Sequence, residues 1–135
     1  MNTWPKFFEI FRFPNIFLKT DLQIKLFFED HSIEKISENI KHDMKSLEKH
    51  DIGINGEVFD TMLAHYLINP DINHTTEVLS ENYLNYSINQ KESNIDNNCE
   101  KANIIFQLKG LLEDELKLNK HISLYKEIEI PLLRV

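Results

Sequence analysis

The alternation of apolar and polar positions divides the 135-residue chain into short helical blocks separated by polar breaks. Residues 20–30, TDLQIKLFFED, read as a short amphipathic helix with Thr20 or Asp21 as cap and Ile24, Phe27 and Phe28 turned inward. Across 32–40, Ile33, Ile36 and Ile40 fit a helical face, and a short strand ending at Ser37 is equally allowed. Residues 40–49 predict a helix with Ile40, Met44 and Leu47 on one side. The stretch DIGINGEV supplies two glycines and an asparagine, so it reads as a turn, alone or between short extended pieces.

VFDTMLAHYLINP is the clearest helix in the middle of the chain. Phe59, Met62, Leu63, Tyr66 and Leu67 fall at i, i+3, i+4, i+7 and i+8, Asp60 can cap, and Asn69–Pro70 stops it. A second short helix follows in TTEVLSENYLNY, and residues 87–98, SINQKESNIDNN, are polar and aperiodic, as in a mobile loop. From Cys99 to about Asn119 a long helix resumes, with Ile105, Leu108, Leu112 and Leu116 as its stripe and Glu113–Lys117 as an exposed pair. The closing ISLYKEIEIPLLRV ends in Leu132, Leu133 and Val135, an apolar finish that suggests a continuing chain or a docking surface. No internal repeat is visible.

Composition narrows this picture. Seven of the nine phenylalanines fall within 7–28, and Trp4, Phe7, Phe8 and Phe11 have helical spacing until Pro14. Docking on a core or a partner surface is the first reading of residues 1–19, and a membrane surface is the alternative. Lys6, Glu9, Arg12 and Lys19 interrupt the apolar run, so it falls short of the roughly 18 uncharged residues that span a bilayer. No signal-peptide order is present, and the chain reads as cytoplasmic. The single cysteine, Cys99, excludes an internal disulfide and paired-cysteine zinc clusters. A formal charge of −7, with thirteen lysines and two arginines, argues against holding nucleic acid by charge alone.

Residues 26–86 contain ENIKHD, FDTMLAHYLINPD and EVLSENYLNY in that order. In them the chain resembles the 3′–5′ proofreading exonuclease domain of bacterial DNA polymerase I. ANIIFQL (102–108) and EIEIPL (127–132) resemble later pieces of the same domain, so that 127–135 matches its junction with the polymerase part. The resemblance covers roughly 20–135 and implies one partial α/β domain, ribonuclease H-like, with this piece mostly α-helical and holding few short strands. It further implies a role in DNA replication and repair at a single-stranded 3′ end. A polymerase domain or fragment would be its neighbour, with neither membrane nor small-molecule substrate. Members of that family hold two divalent ions, Mg²⁺ or Mn²⁺, on four acidic residues.

By the same resemblance Asp43 matches a metal-ligating, catalytic acid, and Asn39 and His42 match positions that meet nucleic acid; His42 stands where an aromatic such as tyrosine is usual. The family's opening Asp-x-Glu occurs nowhere in the sequence. At its third motif, Tyr-x-x-x-Asp, the matching positions are Asn97 and Lys101, an amide and a cation. One carboxylate cannot hold two mutually repelling divalent ions, and Lys101 would add positive charge where they belong. The resemblance therefore implies a degenerate domain without turnover of its own.

Each of these residues also has a plain structural reading. Asp43 suits a helix N-terminus and Asn39 a local backbone contact. Asp60 and Thr61 read as capping residues and His65 as a packed one. Asp43 and Asp51, with His42 and His50, span about 12 Å of helix, too far for one ion.

Overall fold

The structure, a computed structural model, describes residues 18–89 and 92–135. The aromatic helix expected between Trp4 and Pro14 lies outside the described residues. The order of elements is α1 (Leu18–Glu29), β1 (Lys35–Ser37), α2 (Ile40–Glu48), β2 (Val58–Asp60), α3 (Thr61–Ile68), α4 (Thr76–Leu84) and α5 (Asn94–Leu118). Three short turns of helix close it: α6 (Ile122–Leu124), a π-helical turn (Tyr125–Glu129) and α7 (Ile130–Leu132). Among the described residues this is a mostly helical α/β arrangement built on one parallel strand pair.

The two strands pair with Lys35 opposite Val58, Ile36 opposite Phe59 and Ser37 opposite Asp60. Side chains alternate across a strand, and this register sorts the core into two. Ile36 and Phe59 join Ala64, Leu79, Ile104, Ile105, Leu108, Leu112, Leu116 and Tyr125 in the larger cluster. Val58, on the other face, joins Phe28, Ile40, Leu47, Ile52 and Ile54 in the smaller one under α1 and α2. Ile24, Phe27 and Met44 pack against that smaller cluster, the inward set expected for the first two helices. The expected stripe of α5 is fully buried.

Five expectations need correction. Phe59 does not belong to a helix: Val58–Asp60 is a strand, because a buried parallel partner is available 23 positions upstream and supplies the backbone hydrogen bonds. With the helix starting only at Thr61, its buried face becomes Thr61, Ala64 and His65, and Tyr66 is exposed. The polar loop at 87–98 is shorter than expected, since α5 begins at Asn94 with the Ser93 side chain accepting from the Asp96 amide. That cap supplies a start signal that outweighs the lack of apolar period. Helix α1 begins at Leu18, so Thr20 and Asp21 lie inside it rather than capping it. The Glu113–Lys117 pair is present at 3.2 Å, but Glu113 is largely covered and also meets Lys109 at 3.0 Å.

Two long-range contacts fix the strand pair. The Tyr125 hydroxyl accepts from the Asp60 amide (2.7 Å) and donates to the Asp60 carbonyl (3.2 Å), with its ring 5.2 Å from that of Phe59. Arg134 donates to the carbonyls of Ile54 and Gly56, binding the closing helical turns to the loop before β2. Gly56 itself has φ +82°, and a Cβ there would stand 2.8 Å from the His31 carbonyl oxygen. Only glycine fits both demands.

Candidate functional site

The carboxyl ends of β1 and β2 meet the N-termini of α2, α3 and α4, the part of an open α/β sheet where side chains most readily converge. Ser37 and Asp60 end the two strands opposite each other. Residues 38 and 39 then turn the chain into α2, and Asn39 caps it by accepting from the His42 amide at 3.2 Å. This places Asp43 in the first turn of α2, pointing back at the strand end, where its Oδ2 accepts from the Ser37 hydroxyl. The Asn39 amide donates to the same Ser37 oxygen at 3.2 Å. The reading of Asn39 as a local backbone partner matches this geometry.

Asp60 does more than cap its own helix. Its Oδ1 accepts from the Leu63 amide (2.9 Å), and its Oδ2 accepts from the Ile40 amide at the start of α2 (3.0 Å). One carboxylate thus ties the N-termini of two helices. Glu38 performs the same service for a third, its Oε1 accepting from the Thr76 amide at 2.7 Å, while its backbone carbonyl accepts from the Met62 amide at 3.3 Å. The hydroxyls of Thr61 and Thr76, at the first positions of α3 and α4, are buried without a hydrogen-bond partner among the described residues.

Electrostatics follow from burial. Asp43 is 8% exposed, and burial raises its carboxyl above the usual carboxylate range, against the lowering effect of the Ser37 hydroxyl and of His42. Asp60 is 3% exposed, and burial pushes it up to about 6; the amides of Leu63 and Ile40 oppose the rise and nearby Asp43 adds to it. His42 is the exposed member, with Nδ1 3.6 Å from Asp43 Oδ1.

A two-ion centre requires several carboxylates with charge to spare. Around Asp43 the neighbouring acids are Glu38 and Asp60, and the oxygens described for them face amide N–H groups of three helices. Among the described residues no group of three or more His, Cys, Asp or Glu side chains is disposed to hold a metal ion. Among the described residues, the donor set around Asp43 does not fit the divalent pair.

The 3′–5′ exonuclease family model matches residues 17–117. The chain belongs to the 3′–5′ exonuclease domain family of DNA polymerase I. A relative is the DNA polymerase I of Borreliella burgdorferi, 31% identical over 115 residues, which cover 74% of this chain and 13% of that protein. A solved structure described as the POL domain of Pol1 from M. smegmatis in complex with DNA primer-template and dNTP superposes with a TM-score of 0.81. It is 23% identical and covers 90% of this chain and 21% of that one, so it speaks for the fold. The exonuclease-family domain thus spans about an eighth to a fifth of the proteins it matches.

Within this domain Lys101 pairs with Glu77 of α4 at 2.7 Å, and Asn97 lies one turn earlier on α5. Cys99 is exposed. No described helix is long and apolar enough to cross a membrane. Sequence reasoning missed Ser37 and Glu38, and gave Asp60 only one of its two helices. The signal available for Ser37 was its position at a possible strand end two residues before an asparagine cap.

Proposed function

We propose that this chain is a ribonuclease H-like remnant of the polymerase I exonuclease domain that associates with single-stranded DNA 3′ ends without hydrolysing them. One observation carries this reading: the acids described nearest Asp43 are engaged in capping helices, so among the described residues Asp43 stands without the carboxylate partners that divalent-metal hydrolysis of a phosphodiester needs. Asp43 would be the metal ligand and catalytic acid only in an active member. Here its carboxylate instead receives the Ser37 hydroxyl. The groups left to meet DNA are the exposed His42 imidazole and the exposed side chain of Asn39 at the rim. With a net charge of −7, association is weak and sensitive to salt.

The test is incubation of the purified chain with end-labelled single-stranded DNA and Mg²⁺ or Mn²⁺. No 3′ ladder is expected. A ladder that disappears in Asp43→Ala overturns the reading.

A second reading rests on a different surface. Leu124, Ile128, Leu132 and Val135 recur at helical spacing along the closing turns and are all exposed. Such a stripe suits an interaction module that packs on a polymerase part. Sizing the chain alone and mixed with a polymerase fragment checks it, and co-elution is the expected result.

A further inference from the structure

Away from the strand ends, two imidazoles meet head to head. His65, in the second turn of α3, is 3% exposed, and His74 lies half-buried in the connection from α3 to α4. Their Nδ1 atoms are 2.7 Å apart. At that separation the two nitrogens need one proton between them, because two lone pairs repel and two N–H groups collide. The surroundings are well defined. Tyr83 of α4 stands edge-on to His65 at 5.9 Å, and Tyr66 of α3 stands edge-on to His74 at 5.7 Å. From α5, Glu115 supplies negative charge toward His65 while accepting from the Tyr83 hydroxyl at 2.6 Å. Tyr125 of the π-helical turn is engaged with the Asp60 backbone instead.

We propose that His65 and His74 form a single-proton latch that fastens the α3–α4 connection to α3 and opens when both rings become charged. In the neutral pair one ring donates and the other accepts. A first added proton leaves the contact intact, because an imidazolium Nδ1–H still donates to a neutral partner. Burial holds His65 below its ordinary value, the His74 charge lowers it further, and Glu115 opposes both. A second proton sets N–H against N–H in an enclosed place, and the contact breaks.

The break has somewhere to travel. The connection delivers Thr76, whose amide is bound by Glu38 beside the Asn39 cap. Opening the latch therefore loosens α4 from the strand-end cluster, on the acid side of the ordinary imidazole range.

The experiment is a pH titration of the whole ¹⁵N-labelled chain, reading imidazole nitrogen shifts and hydrogen exchange at the Thr76 amide. While the latch is closed, His65 is expected to stay neutral and protonated on Nε2. When His65 charges, Thr76 exchange should rise by about tenfold, the scale of one lost hydrogen bond. In His74→Asn the His65 titration should move upward and the exchange step should vanish; in His65→Gln the step should vanish as well. Should His65→Gln not fold, His74→Asn carries the test alone, since His74 lies outside the helices. Two rings titrating with midpoints unchanged in the single variants, or a Thr76 step that persists in His74→Asn, would overturn the latch.

Discussion

The buried face of α5 and the polar knot at the strand ends are both solvent-shielded, yet they are held in different ways. On α5, Leu108, Leu112 and Leu116 are fully buried and gain from nondirectional contact with several elements. At the strand ends, Ser37, Asp43 and Asp60 are nearly as well covered, and each depends on particular partners: a hydroxyl for Asp43, two helix amides for Asp60. The first region tolerates rearrangement in proportion to volume lost. The second fails by bond, since a buried carboxylate deprived of its donors is costly. At the strand ends the described oxygens of Asp60 and Glu38 accept from the amides that open three helices, so this region's acids double as its fasteners.

The largest expected effect lies on the apolar side. Leu112→Ala should destabilise the chain by about 3 kcal/mol, the usual scale for a fully buried leucine, measured by urea or thermal denaturation. A loss no larger than that of a surface substitution would mean that the α5 stripe is not the centre of the core.

The next effect sharpens the polar side and depends on pH. Asp60 has a folded-state value of about 6 against 3.8 for the free group, so the folded chain binds this proton more tightly than the unfolded one. Its contribution to stability is present below about pH 4 and is lost as pH rises toward 6. The separation of about two units corresponds to about 3 kcal/mol at most, and measured values should fall below that ceiling. Asp60→Asn should flatten this slope while keeping part of the cap, since its amide oxygen still accepts from one of the two helix amides. Stability curves for the two proteins that run parallel between pH 4 and 6 would contradict the burial argument.

The α5 stripe was legible in the sequence because its information is local: leucines at i, i+4 and i+8 name their own face. So were the Asp60 cap and the local backbone contact of Asn39, which need only the helix that follows them. The strand at 58–60 was hidden for the opposite reason. Val58 and Phe59 fit a helical period as well as an extended one, and what decides between them is Lys35–Ser37, far away in sequence. Glu38 was invisible on the same ground, since its acceptor role toward Thr76 spans 38 positions. The family motif told where Asp43 stands and not what its neighbours do with their oxygens.

The smallest effect concerns Lys101. It was expected to set positive charge near the place of the ions, and its ammonium group meets Glu77 at 2.7 Å, tying α5 to α4. With both side chains partly in water, Lys101→Ala should cost less than about 1 kcal/mol, seen as a small shift in the denaturation midpoint. Exonuclease activity appearing in that variant would overturn the proposal that the shortage of carboxylates around Asp43 bars turnover.

The Tyr125 phenol occupies the place beside Asp60 that a further strand would take, matching one N–H and one C=O as a neighbouring backbone does. A single side chain thus seals part of a ribbon edge that was laid down 65 positions earlier. As the polypeptide emerges from the ribosome, that edge has to wait, unsealed, for residue 125 to arrive. The order of synthesis therefore runs against the order of closure, because Asp60 gains its partner only once residue 125 has been made.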